Sequence, residues 1–262
     1  MDLSVSFGGK AALSGLSVDI CTGESVGVIG PNGAGKSTFL NALCGLSGSA
    51  TGGSVIFRGT PIDSLPCAQR IRLGLARTFQ DPRLIDSQTV LENTLVGAHL
   101  RHTYTLIDQI IRPRRVGRNE KQLKSDALAT LELVGLSKYA QMPASSLSYG
   151  PRKTLEIARA LMSNPSVLLL DEPSSGLDHE EQAMLVSVLN EIRSSDRLTL
   201  IIVEHHMEVV RSLSTRVIAL QAGEVLIDGS PDGVLDSDTF RKAVVGDVGT
   251  SGTADRVEET EG

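Results

Sequence analysis

The chain has 262 residues, enough to bury a sizeable core, and its 40% hydrophobic and 21% charged content is ordinary globular usage. A net charge of −6, with no Trp, five Phe and three Tyr, excludes a broad nucleic-acid surface and a base-stacking platform for single strands. No apolar run approaches a spanning helix, and Met1-Asp2-Leu3-Ser4 has neither the basic nor the apolar part of a signal peptide, so a soluble, intracellular chain is expected, one that another protein must hold if it works at a membrane.

Leu3, Val5 and Phe7 alternate, as do Leu16, Val18 and Ile20, which predicts two strands of a small sheet. Ser25-Val26-Gly27-Val28-Ile29 is a short apolar run of buried-strand type. Gly30 to Thr38 follows as GPNGAGKST, the phosphate-cradling pattern G-x-x-x-x-G-K-S/T, and a helical pattern begins at Thr38-Phe39-Leu40. Its glycines let the backbone curl around an anion with N–H groups pointing inward. Asn32, Gly33, Ala34, Gly35, Lys36, Ser37 and Thr38 are the candidate contacts. Lys36 brings a fixed positive charge for the outer phosphates, and Ser37 a hydroxyl for Mg²⁺. Strand, glycine loop and helix start together make an anion site out of backbone dipoles, so binding of a nucleoside triphosphate is expected.

Ser54 to Phe57 is a further β-type run, and from Cys67 to about Ser166 the pattern is mainly helical. Ala127, Leu128, Leu131 and Val134 stand at helical spacing, with Gly135 as the stop. Arg112 to Lys124 holds six basic residues against Glu120, which fits a solvated face or a surface near anionic lipid headgroups. Ser148 can cap a helix whose first turn accepts Pro151. Three apolar runs, Val167–Leu170, Leu198–Val203 and Val217–Leu220, alternate with helical stretches and predict a parallel sheet covered on both faces. Val217–Leu220 and Val225–Ile227 flank a turn and read as a hairpin. The first of the three runs leads into Asp171-Glu172-Pro173. Asp171 can reach Mg²⁺ through its water shell, and Glu172 can orient or deprotonate the water that attacks a γ-phosphate. Cys21, Cys44 and Cys67 show no C-x-x-C spacing and read as idle thiols. Gly246 to Gly262 is apolar-poor, and residues 247–262 are expected to be a disordered acidic tail.

Ser148-Tyr149-Gly150 before a helix reading IARAL, followed by LLLDEP and SGLD, resembles the ATP-binding subunits of ABC transporters from about Phe7 to Gly246. The resemblance implies an α/β P-loop NTPase (RecA-like) core with a mainly parallel sheet, a small antiparallel β subdomain and an inserted α-helical subdomain. It divides 1–246 into a core of about 1–80 and 160–246 and a helical part of about 81–159. It also implies residue roles. Phe7 stacks on adenine. Gln80 touches Mg²⁺ and senses the membrane partner. Ser148 and Gly150 cap the γ-phosphate of ATP held by another subunit. Asp178 belongs to a loop that crosses the dimer interface, and His205 contacts the γ-phosphate.

GLARTFQ, ENTLVGAH, LEIARAL, VEHHMEVV and GEVLIDGSPDGV further resemble one importer branch, which serves branched-chain and other hydrophobic amino acids. The expected protein is thus an ATPase using ATP and Mg²⁺ in a homodimer, or in a heterodimer with a sister subunit. Its partners would be membrane permease subunits and, indirectly, a solute-binding protein, on the inner face of the cell membrane, with no role for nucleic acid. A lipid or polysaccharide exporter and a soluble non-transport ABC ATPase are the alternative readings. The chain departs from the pattern in the six residues before Phe7, in Pro151 where Gln is usual, and in His206 where an acidic residue is usual.

Overall fold

The computed structural model describes residues 2–46, 52–99, 113–194 and 198–248, the side chains of 113–118 and 244–248 aside. Of the tail expected at 247–262, residues 247 and 248 close the last helix instead of being disordered, and the rest lies outside the described residues, as do His102, Arg112 and the side chains of Arg114, Arg115 and Arg118. Among the described residues, no helix is long and apolar enough to cross a membrane.

The first strands, β1 (Leu3–Phe7) and β2 (Lys10–Leu16), form an antiparallel hairpin. Gly8 and Gly9 make its turn with φ of 55° and 85°, so pairing starts at once on either side of them. The second strand therefore ends at Leu16 instead of running from Leu16 to Ile20, as the alternation there predicts. β3 (Ser25–Ile29) is buried throughout and feeds the phosphate loop and α1 (Lys36–Cys44). Of the run from Ser54, only β4 (Ile56–Phe57) pairs, with β5 (Thr60–Pro61).

After α2 (Cys67–Leu73) comes β6 (Leu75–Arg77), inside the stretch that the sequence marks as helical. Three residues are too few to show a period. The strand is made by its partner: Leu75, Ala76 and Arg77 pair in parallel with Val167, Leu168 and Leu169. Between it and β7 (Val167–Asp171) the chain builds α3 (Val90–Val96), α4 (Pro113–Leu133) and α5 (Tyr149–Leu161). The helix α4 stops just before Gly135, whose φ of 72° suits a helix end. Then follow α6 (His179–Arg193), β8 (Thr199–Val203), α7 (Met207–Leu213), the hairpin β9 (Arg216–Gln221) and β10 (Glu224–Gly229), α8 (Pro231–Leu235) and α9 (Asp238–Val248).

The main sheet runs β10-β9-β3-β8-β7-β6, parallel except where β10 pairs with β9. Leu169, Ile201, Val203 and Ile218 pack with Phe39 and Leu40 of α1 and with Leu3, Val5 and Leu13. Leu168, Leu170, Leu200 and Ile202 point the other way, into a core with Leu155, Leu185, Leu189 and Leu213. Both faces are covered, which is why these strands read as unbroken apolar runs. In such a sheet the open end for a ligand is the carboxyl end of the strands. Ile29, Arg77, Asp171 and Val203 all end there.

Candidate nucleotide-binding and hydrolytic site

The phosphate loop leaves β3 and turns into α1 through Gly33 and Gly35, whose φ values are 79° and 103°. A Cβ at Gly35 would also sit 2.7 Å from the Ala12 carbonyl, so β2 lies directly against the loop. Gly35 is the N-cap of α1, no side chain caps that end and its first turn holds no acidic residue. The first N–H groups of α1 thus meet the cleft without a competing anion. Lys36 is the first residue of the helix and only 6% exposed. Its Nζ donates to the carbonyls of Gly30 at 2.8 Å and Pro31 at 3.0 Å. Burial pulls its pKa below the usual lysine range, while Glu172 and Asp171 pull it back up.

A cleft of about 390 Å³ joins Phe7, Asn32, Gly33, Gly35, Lys36, Ser37 and Thr38 to Glu172 and His205. Phe7 is half exposed at its rim, at the end of β1. A larger cavity of about 460 Å³ lies at the opposite end of the strands, against Leu75, Val167 and Thr199, and none of the predicted site residues lines it.

Glu172 is where three chain segments meet. Its Oε1 is 2.8 Å from His205 Nε2, and its Oε2 accepts from Gln80 Nε2 at 3.0 Å. Gln80 follows β6 and His205 follows β8, so residues far apart in the sequence converge on the one carboxylate just past β7. Glu172 itself has φ +48°, a left-handed backbone that L residues adopt at a cost and that concentrates at functional sites. Asp171, the last residue of β7, is buried and ion-paired with Arg77 at 2.7 Å. Arg77 in turn donates to Asn41 Oδ1 at 2.5 Å.

Ser148, Gly150 and Asp178 do not line this cleft. Ser148 is the N-cap of α5, as expected, but its hydroxyl makes no capping hydrogen bond; its φ and ψ place it there without one. Gly150 is buried with the Glu181 carboxylate against it, since a Cβ there would lie 2.5 Å from Glu181 Oε1. Asp178 caps α6 in a reciprocal box with Glu181, accepting the Glu181 N–H at 2.9 Å.

A sequence model described as ABC transporter matches residues 13–175. This chain belongs to the ABC transporter family. It is an ATP-binding cassette and an ATPase, and its fold is that of other cassettes. It is 34% identical, over 94% of this chain and 96% of the relative, to the high-affinity branched-chain amino acid transport ATP-binding protein LivG of Escherichia coli strain K12. It is 35% identical, with the same coverage, to the corresponding protein BraF of Pseudomonas aeruginosa. A solved ATP-binding cassette of an ABC transporter in its ADP conformation superposes with a TM-score of 0.80 at 28% identity, covering 94% of this chain and 96% of that one.

Three side chains of the cassette that no motif brings forward surround the cluster. Arg77 lies in the GLARTFQ run, yet nothing in that run says that it faces Asp171. Glu204 is 1% exposed, and its carboxylate accepts the N–H groups of Ser174 at 2.8 Å and His205 at 3.0 Å. It ties the turn after β7 to the turn after β8. Lys153 of α5 is equally hidden and donates to the Glu172 carbonyl at 2.9 Å. A charged residue directly after the apolar strand β8 is the one signal that could single out Glu204; Lys153 sits next to Arg152 and gives none.

Proposed function

We propose that this cassette is the ATPase of an importer for branched-chain or related hydrophobic amino acids, and that it works as one of two cassettes closing around ATP to drive a membrane permease. The observation that carries the hydrolytic part is the meeting of Gln80 and His205 on Glu172, across the cleft from the phosphate loop. The importer part draws support from the length over which LivG and BraF match.

In this reading Phe7 stacks on the adenine, and the residues Asn32 to Thr38 hold the phosphates with backbone N–H groups and Lys36. Glu172 orients the attacking water and accepts its proton. His205 and Gln80 hold that carboxylate from both oxygens, which fixes its direction toward the γ-phosphate. Ser37, Gln80 and Asp171 offer oxygen donors only, a set suited to a hard cation such as Mg²⁺. Asp171 holds Arg77 through Oδ2, and in this reading its other oxygen faces the ion's water shell. Bound there, Mg²⁺ would neutralise charge building on the phosphate oxygens. Ser148 and Gly150, away from the cassette's own cleft, cap the nucleotide of the other cassette, and Asp178 lies between the two. The core carries the nucleotide, the helices between β6 and β7 carry the signature, and the permease contact near Gln80 places the chain on the cytoplasmic face of the membrane.

The test is uptake. A host lacking this chain should lose uptake of labelled leucine, regained with the wild-type chain and not with Glu172→Gln. Undiminished uptake together with failed export of a lipid or polysaccharide would overturn the importer reading.

A further inference from the structure

We propose that Lys153 is a positioning residue for Glu172, linking the glutamate of one nucleotide site to the helix that caps the other. This rests on the roles given above to Glu172 and Ser148. Lys153 stands in the first turns of α5, five residues after Ser148, and is 4% exposed. Its Nζ reaches out of the helix to the Glu172 carbonyl at 2.9 Å. It also lies 5.3 Å from the centre of the Tyr149 ring. That ring rests on the next turn of chain, because a Cβ at Gly176 would meet Tyr149 Cε1 at 3.0 Å. The start of α5 is thus seated on residues 172–176 through one aromatic face and one buried cation.

The seat matters because of the backbone it holds. Glu172 is in the left-handed region, where an L residue persists only if its surroundings over-determine it. Its N–H is fixed by the Val203 carbonyl at 2.9 Å, so β8 holds one side. Its carbonyl accepts from Lys153 and from the Ser175 N–H at 3.1 Å, so α5 and the turn hold the other. A buried ammonium is stable only where it is compensated. Glu204, Glu156, Asp81 and Glu172 all surround this one. Glu204 passes the link on, since the same carboxylate binds the backbone of Ser174 and His205.

Lys153 does not line the nucleotide cleft. It can act on the reaction only through the groups it holds, and the one it touches directly is Glu172. The first turn of α5 carries Ser148 and Gly150, so any shift of that helix as it caps a nucleotide on the partner reaches the glutamate of its own site through one side chain. The chemistry is sensitive to such a shift, because a misplacement of about 1 Å costs on the order of 10²-fold in rate.

The experiment uses the purified full-length chain carrying Lys153→Met, Lys153→Arg and Glu172→Gln, with Lys153→Met also placed in the Glu172→Gln background. Lys153→Met should lower kcat by ~10–100-fold. Binding of a fluorescent ATP analogue should stay within ~3-fold, as expected when an interaction acts only on the reacting geometry. Lys153→Arg keeps the charge and a donor and should recover most of the loss. In the Glu172→Gln background Lys153→Met should add less than ~3-fold, because residues acting as a unit are not additive. An unchanged kcat in Lys153→Met overturns the proposal, as does an affinity loss matching the rate loss, an arginine variant no better than methionine, or a full additive loss in the double variant. Should Lys153→Met not fold, Lys153→Gln carries the same expectation, and loss of fold in both would assign Lys153 to stability instead. If Glu172→Gln itself kept normal turnover, the role of Glu172 would fall first; an inactive Glu172→Gln beside an active Lys153→Met would sink the Lys153 proposal alone.

Discussion

The phosphate loop and the carboxylate cluster face each other across one cleft and are built in opposite ways. The loop motif is nine consecutive residues, Gly30 to Thr38, that leave β3 and run into the first turn of α1, and most of its chemistry is backbone: glycines that turn, N–H groups at a helix start, and one lysine. The cluster takes Glu172 from the end of β7, Gln80 from beyond β6 and His205 from beyond β8, and its chemistry is side chains held by other side chains. A site written in one stretch of chain needs only local geometry. A site assembled from three strand ends depends on sheet order and on buried charges that fix each turn.

The largest expected effect tests whether the two halves divide the work between binding and chemistry. Glu172→Gln should keep ATP affinity within ~3-fold and cut turnover by ~10²–10⁴-fold, about 3–5 kcal/mol of barrier. Lys36→Met should do the reverse in emphasis, weakening ATP binding by ~10–100-fold, since a hydrogen bond to a charged group contributes ~1.5–3 kcal/mol. Equilibrium binding of ATP beside steady-state turnover measures both. Equal losses of affinity in the two variants would break the division.

The same contrast explains what could be read from the sequence. The loop, the strand that feeds it and the Asp171-Glu172 pair carry their meaning in consecutive residues, so they were legible. The six-stranded order was only partly so, because Leu75 to Arg77 becomes a strand solely by pairing with Val167 to Leu169. Gln80 and His205 entered through family resemblance, not through any local pattern. Arg77 and Lys153 were silent, and Glu204 showed only as a charge directly after an apolar run, since a charged residue on a helix or at a strand end looks alike whether it faces solvent or a buried turn. Their significance lies in partners 94, 19 and 30 residues away.

The intermediate effect concerns how the cluster is braced. Glu156 of α5 is buried and accepts the Phe79 N–H at 3.2 Å, next to Gln80, with Arg159 3.4 Å away. Burial raises its pKa from 4.5 to about 7, and the hydrogen bond and Arg159 only partly oppose this. The folded chain therefore holds a proton that the unfolded chain releases between pH 4.5 and about 7, so stability falls as pH rises through that window and stays lowered above it. Glu156→Gln keeps an acceptor for Phe79 and removes the titration. Its melting temperature should exceed that of the wild type at pH 8, with ~1–3 kcal/mol gained at ~2–4 °C per kcal/mol, and the difference should shrink toward pH 5. A variant less stable at pH 8 would mean that the charges of Arg159 and Lys153 together outweigh burial, and that the cluster is braced by charge after all.

The smallest effect lies at the rim, where neither half of the site reaches. Phe7 is half exposed and is carried to the cleft by the Gly8-Gly9 turn that locks β1 onto β2, while β2 lies against Gly35. An aromatic face stacked on a base adds ~0.5–1.5 kcal/mol, so Phe7→Ala should raise the KM for ATP by ~2–10-fold. The base is bound alike in ground and transition states, so kcat should hold. Inorganic triphosphate supplies the control, because it engages the loop and has no ring to stack. Its affinity should be equal in wild type and Phe7→Ala. A loss shared by ATP and triphosphate would mean that Phe7 supports the loop through the β1–β2 hairpin, and the loop would then be less self-contained than its nine consecutive residues suggest.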